Sequence, residues 1–273
     1  MPDTREPAAP ALSGNPLHHP AVAACGMSTP DVIVVGAGPN GLTAAALLAR
    51  AGLAVEVLEA AETPGGGART EELTLPGFRH DLCSAVHPLG AASPVFAELG
   101  LEGHGLRWVH PDVPLAHPLP DGRTAVLEPS LEATAAGLGG DGRPWRKLFA
   151  PLLEHADGLL GEILTLRPRL TAPLTTARFG VAADRPCRSL VARFDDDPAR
   201  ALLAGSAAHA GIPLERWGSS AVGMVLTLAG HHVGWPSPEG GAAAVTAALV
   251  ARILDLGGRI ETGRKVRSLA ELP

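Results

Sequence analysis

One stretch limits the possible folds more than any other: DVIVVGAGPNGLTAAALLARAGLAVEVLEA, residues 31–60. It opens on Val32-Ile33-Val34-Val35, a β-branched run closed by glycine. An apolar run this short suits a strand buried on both faces of a parallel sheet. Gly36, Gly38 and Gly41 follow in G-x-G-x-x-G spacing, with Pro39 and Asn40 between them. A helix-forming segment comes next, then a second strand over residues 54–58 that ends at Glu59 and Ala60. The three glycines have separate steric roles. Gly36 permits the tight turn, Gly38 lets backbone approach a pyrophosphate, and Gly41 lets the helix pack on the strand. The helix start offers unpaired N–H groups and the positive end of its dipole to phosphate. Glu59 stands close to the offset of about 20 residues at which an acid bonds a ribose hydroxyl. These features predict an α/β, Rossmann-like, dinucleotide-binding unit, and the acid disfavours a nucleotide carrying a 2′-phosphate.

The same spacing recurs at Gly137, Gly139 and Gly142 in GLGGDG. No apolar strand precedes it and Pro144 interrupts the segment after it, so it is expected to be a loop. The first match differs in having strand, helix, second strand and terminal acid all in place.

Composition narrows the function classes. A net charge of −6 gives no electrostatic case for nucleic acid. Cys25, Cys83 and Cys187 are far apart and form no C-x-x-C pair, which removes a zinc ribbon and a dithiol redox centre. His80, Cys83 and His87 show no recognised zinc spacing, so no metal is expected. The longest apolar run, residues 221–230, falls well short of the roughly 20 residues of a membrane-spanning helix. The first 26 residues are Pro-rich and lack the apolar region of a signal peptide, and "VAAC" at residues 22–25 is no lipoprotein box without one. Residues 1–29 are read as a disordered tail, with Met27 as an alternative start. The chain is expected to be soluble and cytoplasmic, with no transmembrane segment; peripheral contact with a membrane and the oligomeric state stay open.

The stretch after Glu59 discriminates among dinucleotide binders. A plain NAD dehydrogenase would show another βα unit, but Gly65-Gly66-Gly67 and Arg69-Thr70 follow the acid directly. This resembles the N-terminal signature of the FAD-dependent amine oxidase and phytoene desaturase superfamily, a βαβ unit joined to an "E…GG…R…T" segment. The matching positions are Glu59, Gly66, Gly67, Arg69 and Thr70. A second block, residues 234–269, is similar to the family's "P-x-G-G" turn, helix and short strand. By itself the block predicts a helix over residues 242–256 with Val245, Leu249 and Ile253 on one face, stopped by Gly257-Gly258. A strand follows over residues 259–262. In the family, the position matching Val266 contacts the adenine end of FAD through its backbone.

The resemblance implies FAD as cofactor, held by Gly36, Gly38, Pro39, Asn40, Gly41, Glu59, Ala60, Gly66, Gly67, Arg69, Thr70 and Val266. It implies an oxidoreductase of the desaturase or dehydrogenase type, in which a hydride passes from an apolar, isoprenoid or acyl small-molecule substrate to the flavin. A flavin amine oxidase is the alternative within enzymes, although with no Tyr and 3% aromatics the chain offers little for an aromatic cage. A non-catalytic binding protein of the GDP-dissociation-inhibitor type and an inactive remnant are the others. Family members continue beyond the strand at residues 259–262, and "KVRSLAELP" resembles no closing flavin segment, so the chain is expected to be the N-terminal portion of a longer enzyme. Its domains are expected at residues 30–115 for the first part of the FAD domain, 116–233 for an inserted, partly complete α+β substrate region, and 234–273 for the return.

Within the middle region, residues 106–129 predict short strands around an Asp121-Gly122 hairpin turn. Long helices are expected over residues 144–166 and 196–211, the second capped by Asp196 or Asp197 before Pro198. Residues 219–235 read as an apolar helix, more in keeping with core packing than with a lipophilic cavity wall. His231 and His232 are expected at its end, bonding free carbonyls. No Ser or Cys nucleophile stands out, as expected where a cofactor carries the chemistry.

Overall fold

The computed structural model describes residues 29–165 and 170–272. The expectations for a tail and an alternative start fall on residues 1–28, outside the described residues. Two compact units divide at Gly66/Gly67 and again at Ala248/Leu249. These divisions differ from the domain bounds expected near residues 115 and 233. The reason lies in the hydrogen bonds: Asp81 reaches the backbone of Ala242, and Trp108–Val109 pairs with Ser237–Pro238, which ties residues 67–109 to residues 237–248.

The first unit is a three-stranded parallel sheet in the order Val32–Val35, Val55–Leu58, Arg259–Glu261. Val32 faces Val55 in register, and Leu58 faces Glu261. Parallel strands need a crossover, and the helix Pro39–Arg50 supplies it between the first two. That helix buries Leu42, Ala45, Ala46 and Ala49, a stripe at helical spacing that lies against the sheet. Asp31 fixes the start of the sheet, its Oδ2 accepting the Ala54 N–H at 2.8 Å. The first strand is not buried on both faces as expected: Val32, Ile33 and Val34 are half-buried and Val35 is 51% exposed. It stands at the edge of the sheet, paired among the described residues with Val55–Leu58 alone.

The second unit mixes helices with antiparallel hairpins, an α+β arrangement. Leu115–Pro118 pairs with Thr124–Leu127 around Asp121-Gly122, where Gly122 takes φ +85°, the turn expected from sequence. The core gathers around Trp145, Phe149 and Phe194, with Leu127, Leu202, Leu203, Met224 and Leu228. Trp145 lies 4.8 Å from Phe149 and 5.7 Å from Phe194, ring to ring. The apolar helix Ser220–His232 is part of this core.

Three local expectations change. The helix over residues 144–166 is two, Gly142–Leu153 and Ala156–Ile163, and Leu166 lies outside the described residues. Pro151 lacks the N–H that the ladder needs, and the first helix ends at Leu153. GLGGDG is no open loop: Leu131–Gly137 is helical, Gly139–Asp141 forms a 3₁₀ turn, and Gly142 opens the next helix. A Cβ on Gly142 would lie 2.0 Å from the Ala135 carbonyl oxygen, so this glycine serves helix contact. Pro144 is tolerated because it falls in the first turn. At the other predicted helix, Asp197–Ala208, the side chain of Asp196 caps the Asp197 N–H at 2.8 Å, as expected.

Candidate dinucleotide-binding site

The first unit brings the glycine turn and the acid together through backbone hydrogen bonds. Gly36 takes φ +101° and donates its N–H to the Leu58 carbonyl at 2.8 Å. A Cβ on Gly41 would sit 2.1 Å from the Gly36 carbonyl oxygen, so only glycine lets the helix start this close to the strand end. Gly38 is the N-cap in extended conformation, Pro39 fills the first turn, and no side chain caps the helix. The first turn also carries no acidic residue. The first helical bond runs from Leu42 N–H to the Gly38 carbonyl at 2.9 Å, so the N–H groups of Asn40 and Gly41 precede the helical ladder. An uncapped helix start without a carboxylate suits an anionic ligand.

Glu59 is fixed on both sides. Its N–H donates to the Glu261 carbonyl and its carbonyl accepts the Arg264 N–H, each at 2.8 Å. The third strand thus positions the acid that the second strand delivers. Its carboxylate accepts Ala37 N–H at 2.6 Å and Ala61 N–H at 2.8 Å, one on each oxygen. An ionised carboxylate has about four acceptor positions, so each oxygen keeps a lone pair for a sugar hydroxyl.

The second glycine cluster closes against the first. Gly65 donates its N–H to the Ala37 carbonyl at 2.9 Å. A Cβ on Gly66, which takes φ +54°, would lie 2.9 Å from Gly38 Cα. Gly38 and Gly66 thus bring the two loops together backbone to backbone near the helix start. These residues fit a dinucleotide: donors for its pyrophosphate, acceptors for its ribose and room for close backbone approach.

Gly36, Gly38, Pro39, Asn40, Gly41, Glu59, Ala60 and Gly66 therefore share one unit. Val266 belongs to it too, two residues beyond Arg264. Gly67, Arg69 and Thr70 belong to the second unit. There the Arg69 guanidinium lies 3.4 Å from the Glu71 carboxylate. Thr70 donates its hydroxyl proton to Asp81 Oδ1 at 2.6 Å and accepts the Ala243 N–H at 3.0 Å. Asp81 Oδ1 also accepts the Ala242 N–H at 2.8 Å. Thr70 and Asp81 together cap the helix Ala243–Asp255. A Cβ on Gly241, at φ +94°, would fall 2.5 Å from Thr70 Oγ1 and 2.8 Å from Asp81 Oδ1, which explains the second glycine of the "P-x-G-G" turn. Sequence reasoning passed over Asp81; the signal was GGAAAV at the helix start, which has no local capping side chain and so needs one from elsewhere.

The two histidines at the end of the helix Ser220–His232 bond to other elements instead of its own carbonyls. His231 Nδ1 lies 3.1 Å from the Glu128 carbonyl, and His231 Nε2 accepts the Trp145 indole N–H at 3.1 Å. His232 pairs with Asp157. Desolvation in this setting pushes the His231 pKa down to about 4.

Comparison with known proteins agrees with this geometry. Residues 34–99 match the family described as NAD(P)-binding Rossmann-like domain. A limonene dehydrogenase chain of Castellaniella defragrans is 39% identical over 108 residues, 40% of this chain and 19% of that protein. Hydroxyneurosporene desaturase of Cereibacter sphaeroides is 61% identical over 41 residues, 15% of this chain and 8% of the relative. The solved structure of putrescine oxidase bound to putrescine superposes with a TM-score of 0.53 at 19% identity, over 86% of this chain and 51% of that one, a likeness of fold. The chain spans about half the length of that structure, and the matched stretches are a smaller share of the curated relatives. Residues 34–99 are thus similar to an NAD(P)-binding Rossmann-like domain, and the curated relatives that the chain resembles include a dehydrogenase and a desaturase.

Proposed function

We propose that the chain carries the FAD-binding portion of an oxidoreductase of the desaturase or dehydrogenase type, acting on an apolar small molecule of the isoprenoid class. The observation that carries this reading is the closure of Gly66 on Gly38 beside a Glu59 carboxylate held by Ala37 and Ala61. When bound, FAD supplies the two-electron redox chemistry, accepting a hydride equivalent from a substrate C–H bond.

The chain's own residues bind and orient. The Asn40 and Gly41 N–H groups and the helix dipole hold the pyrophosphate, Gly38 and Gly66 admit it, and the free lone pairs of Glu59 take the ribose hydroxyls. Val266 is assigned to the adenine end through its backbone, Ala60 follows Glu59 in the cofactor-binding set, and Gly67, Arg69 and Thr70 complete the family segment. The substrate class is supported by the names of two relatives, a limonene dehydrogenase and a hydroxyneurosporene desaturase. The likeness to putrescine oxidase is one of fold and carries no preference for amines. Among the described residues no helix is long and apolar enough to cross a membrane.

The test is anaerobic mixing of the FAD-loaded protein with a monoterpene, a carotenoid and putrescine in turn, following the flavin absorption band. Bleaching by an isoprenoid and not by the amine is expected. Bleaching by putrescine alone would overturn the substrate class while leaving the cofactor assignment intact.

A further inference from the structure

The second unit holds a cavity of about 340 Å³ with an unusual lining. Four cationic side chains, Lys147, Arg178, Arg185 and Arg193, border it, and no carboxylate does. Among the described residues, none of the four side chains forms an ion pair, although Arg123, Arg146, Arg200 and Arg252 elsewhere each have a carboxylate partner. Bringing like charges together without counter-charge costs free energy, which an anion between them would offset. Desolvation of its stem, and secondarily the Arg185 guanidinium, hold the Arg193 pKa below the usual arginine value.

The rest of the lining is apolar. Leu152 and Met224 form the floor, and both are buried in the core of the unit. Val181 forms an outer wall and is 62% exposed. Leu174, 79% exposed, shares the outer face of the helix Pro173–Ala183 with Arg178 and Val181, at i, i+4 and i+7. Large apolar side chains left in water beside unpaired cations match a ligand with an anionic head and a hydrocarbon body. The volume is within the range of about 300–1,000 Å³ for small-molecule sites, more than a bare phosphate needs. No aromatic ring lines the cavity to stack a nucleobase.

We propose that this cavity is a binding site for an amphiphilic anion, a single-chain alkyl phosphate or carboxylate, with its head between Arg185 and Arg193 and its chain along Val181, Leu152 and Met224. The site is independent of the dinucleotide and needs none of the residues assigned to it.

The test is calorimetric titration of the whole chain with decyl phosphate below its micellar concentration, with circular dichroism confirming that the protein stays folded. Saturable one-site binding that weakens with added salt is expected. Replacing Arg185 and Arg193 together by Gln should weaken it about tenfold or more, the double Lys variant should keep most of it, and Arg146→Gln, outside the cavity, should not change it. Decyltrimethylammonium should not bind, and inorganic phosphate should bind far more weakly. Absence of saturable binding overturns the proposal, as does equal binding of the cationic amphiphile, equal binding of inorganic phosphate, or equal weakening by Arg146→Gln. Binding to phosphatidylglycerol vesicles without binding to monomeric decyl phosphate would also overturn it, in favour of a membrane-surface role. If the Gln variants fail to fold, the comparison of the two amphiphiles on the unaltered chain still decides.

Discussion

Gly66 lies so close to Gly38 that a methyl group at position 66 would stand 2.9 Å from the Gly38 Cα. The glycine turn after the first strand and the glycine cluster after the second thereby meet backbone to backbone. Beside them the Glu59 carboxylate is aligned by two backbone N–H groups. Such preorganisation lowers the cost of ordering a site on binding.

Gly66→Ala should weaken FAD binding about tenfold or more and lower stability by about 1–3 kcal/mol, since it forces both a left-handed non-glycine residue and a backbone clash. Gly67→Ala is the contrast. Its Cβ would meet Cys83 Cβ at 3.9 Å, an ordinary contact, so stability should change little. Urea unfolding and FAD titration of both variants check the pair.

Glu59→Gln keeps the shape and loses one acceptor. The Gln amide must turn an NH₂ toward either the Ala37 or the Ala61 N–H, leaving that donor without a partner, at a cost of about 1–3 kcal/mol. FAD affinity should fall as well, while a ligand without a ribose, such as inorganic pyrophosphate, should lose less. Parallel titrations with the two ligands separate these effects.

Stability should fall as the pH is lowered from about 6.5 to about 4. His231 has a folded pKa of about 4 against a usual 6.5, so the unfolded chain takes up the proton first. Its contribution is present in full above pH 6.5 and is lost as pH falls through the folded value, on the order of 3 kcal/mol over the window. His87 and His117 are also lowered, chiefly by burial, and act in the same direction. Urea midpoints between pH 8 and 4 should show this slope, and His231→Gln should flatten it.

Thr70→Val should register in stability. It removes the proton given to Asp81 Oδ1 and the acceptor for the Ala243 N–H, leaving the helix start partly unpaired. The expected loss is about 1–2 kcal/mol, in the range of helix N-cap replacements. Asp81→Ala should cost a similar amount, and the double variant less than the sum, because one network is broken either way. Thermal unfolding of the three variants measures this.

Much of the first unit was legible because its constraints are local. The spacing of Gly36, Gly38 and Gly41 between two β-branched runs leaves few backbones to choose from, and Glu59 ends the second run. The buried stripe Val245, Leu249 and Ile253 likewise follows from helical period alone. Partners distant in sequence were not legible. Asp81 reaches Ala242 across 161 positions, and His231 meets Trp145 across 86, with nothing in either neighbourhood to announce the other. The division between the compact units at Gly66 also follows from partners distant in sequence. The "GG…R…T" segment is continuous in sequence, yet the hydrogen bonds of Thr70 run to Asp81 and Ala243. Val35 was misplaced as doubly buried because composition describes a strand's apolar character and says nothing of its rank in the sheet.

The most direct test of the central claim is the visible absorption spectrum of the chain purified after expression with excess riboflavin, together with identification of the released nucleotide. A flavin spectrum, with FAD as the released species and its loss in Gly66→Ala, is the predicted result. A folded protein that stays colourless and binds no added FAD, or one that releases FMN, would contradict the assignment of the Gly38–Gly66 surface and Glu59 to an adenine dinucleotide.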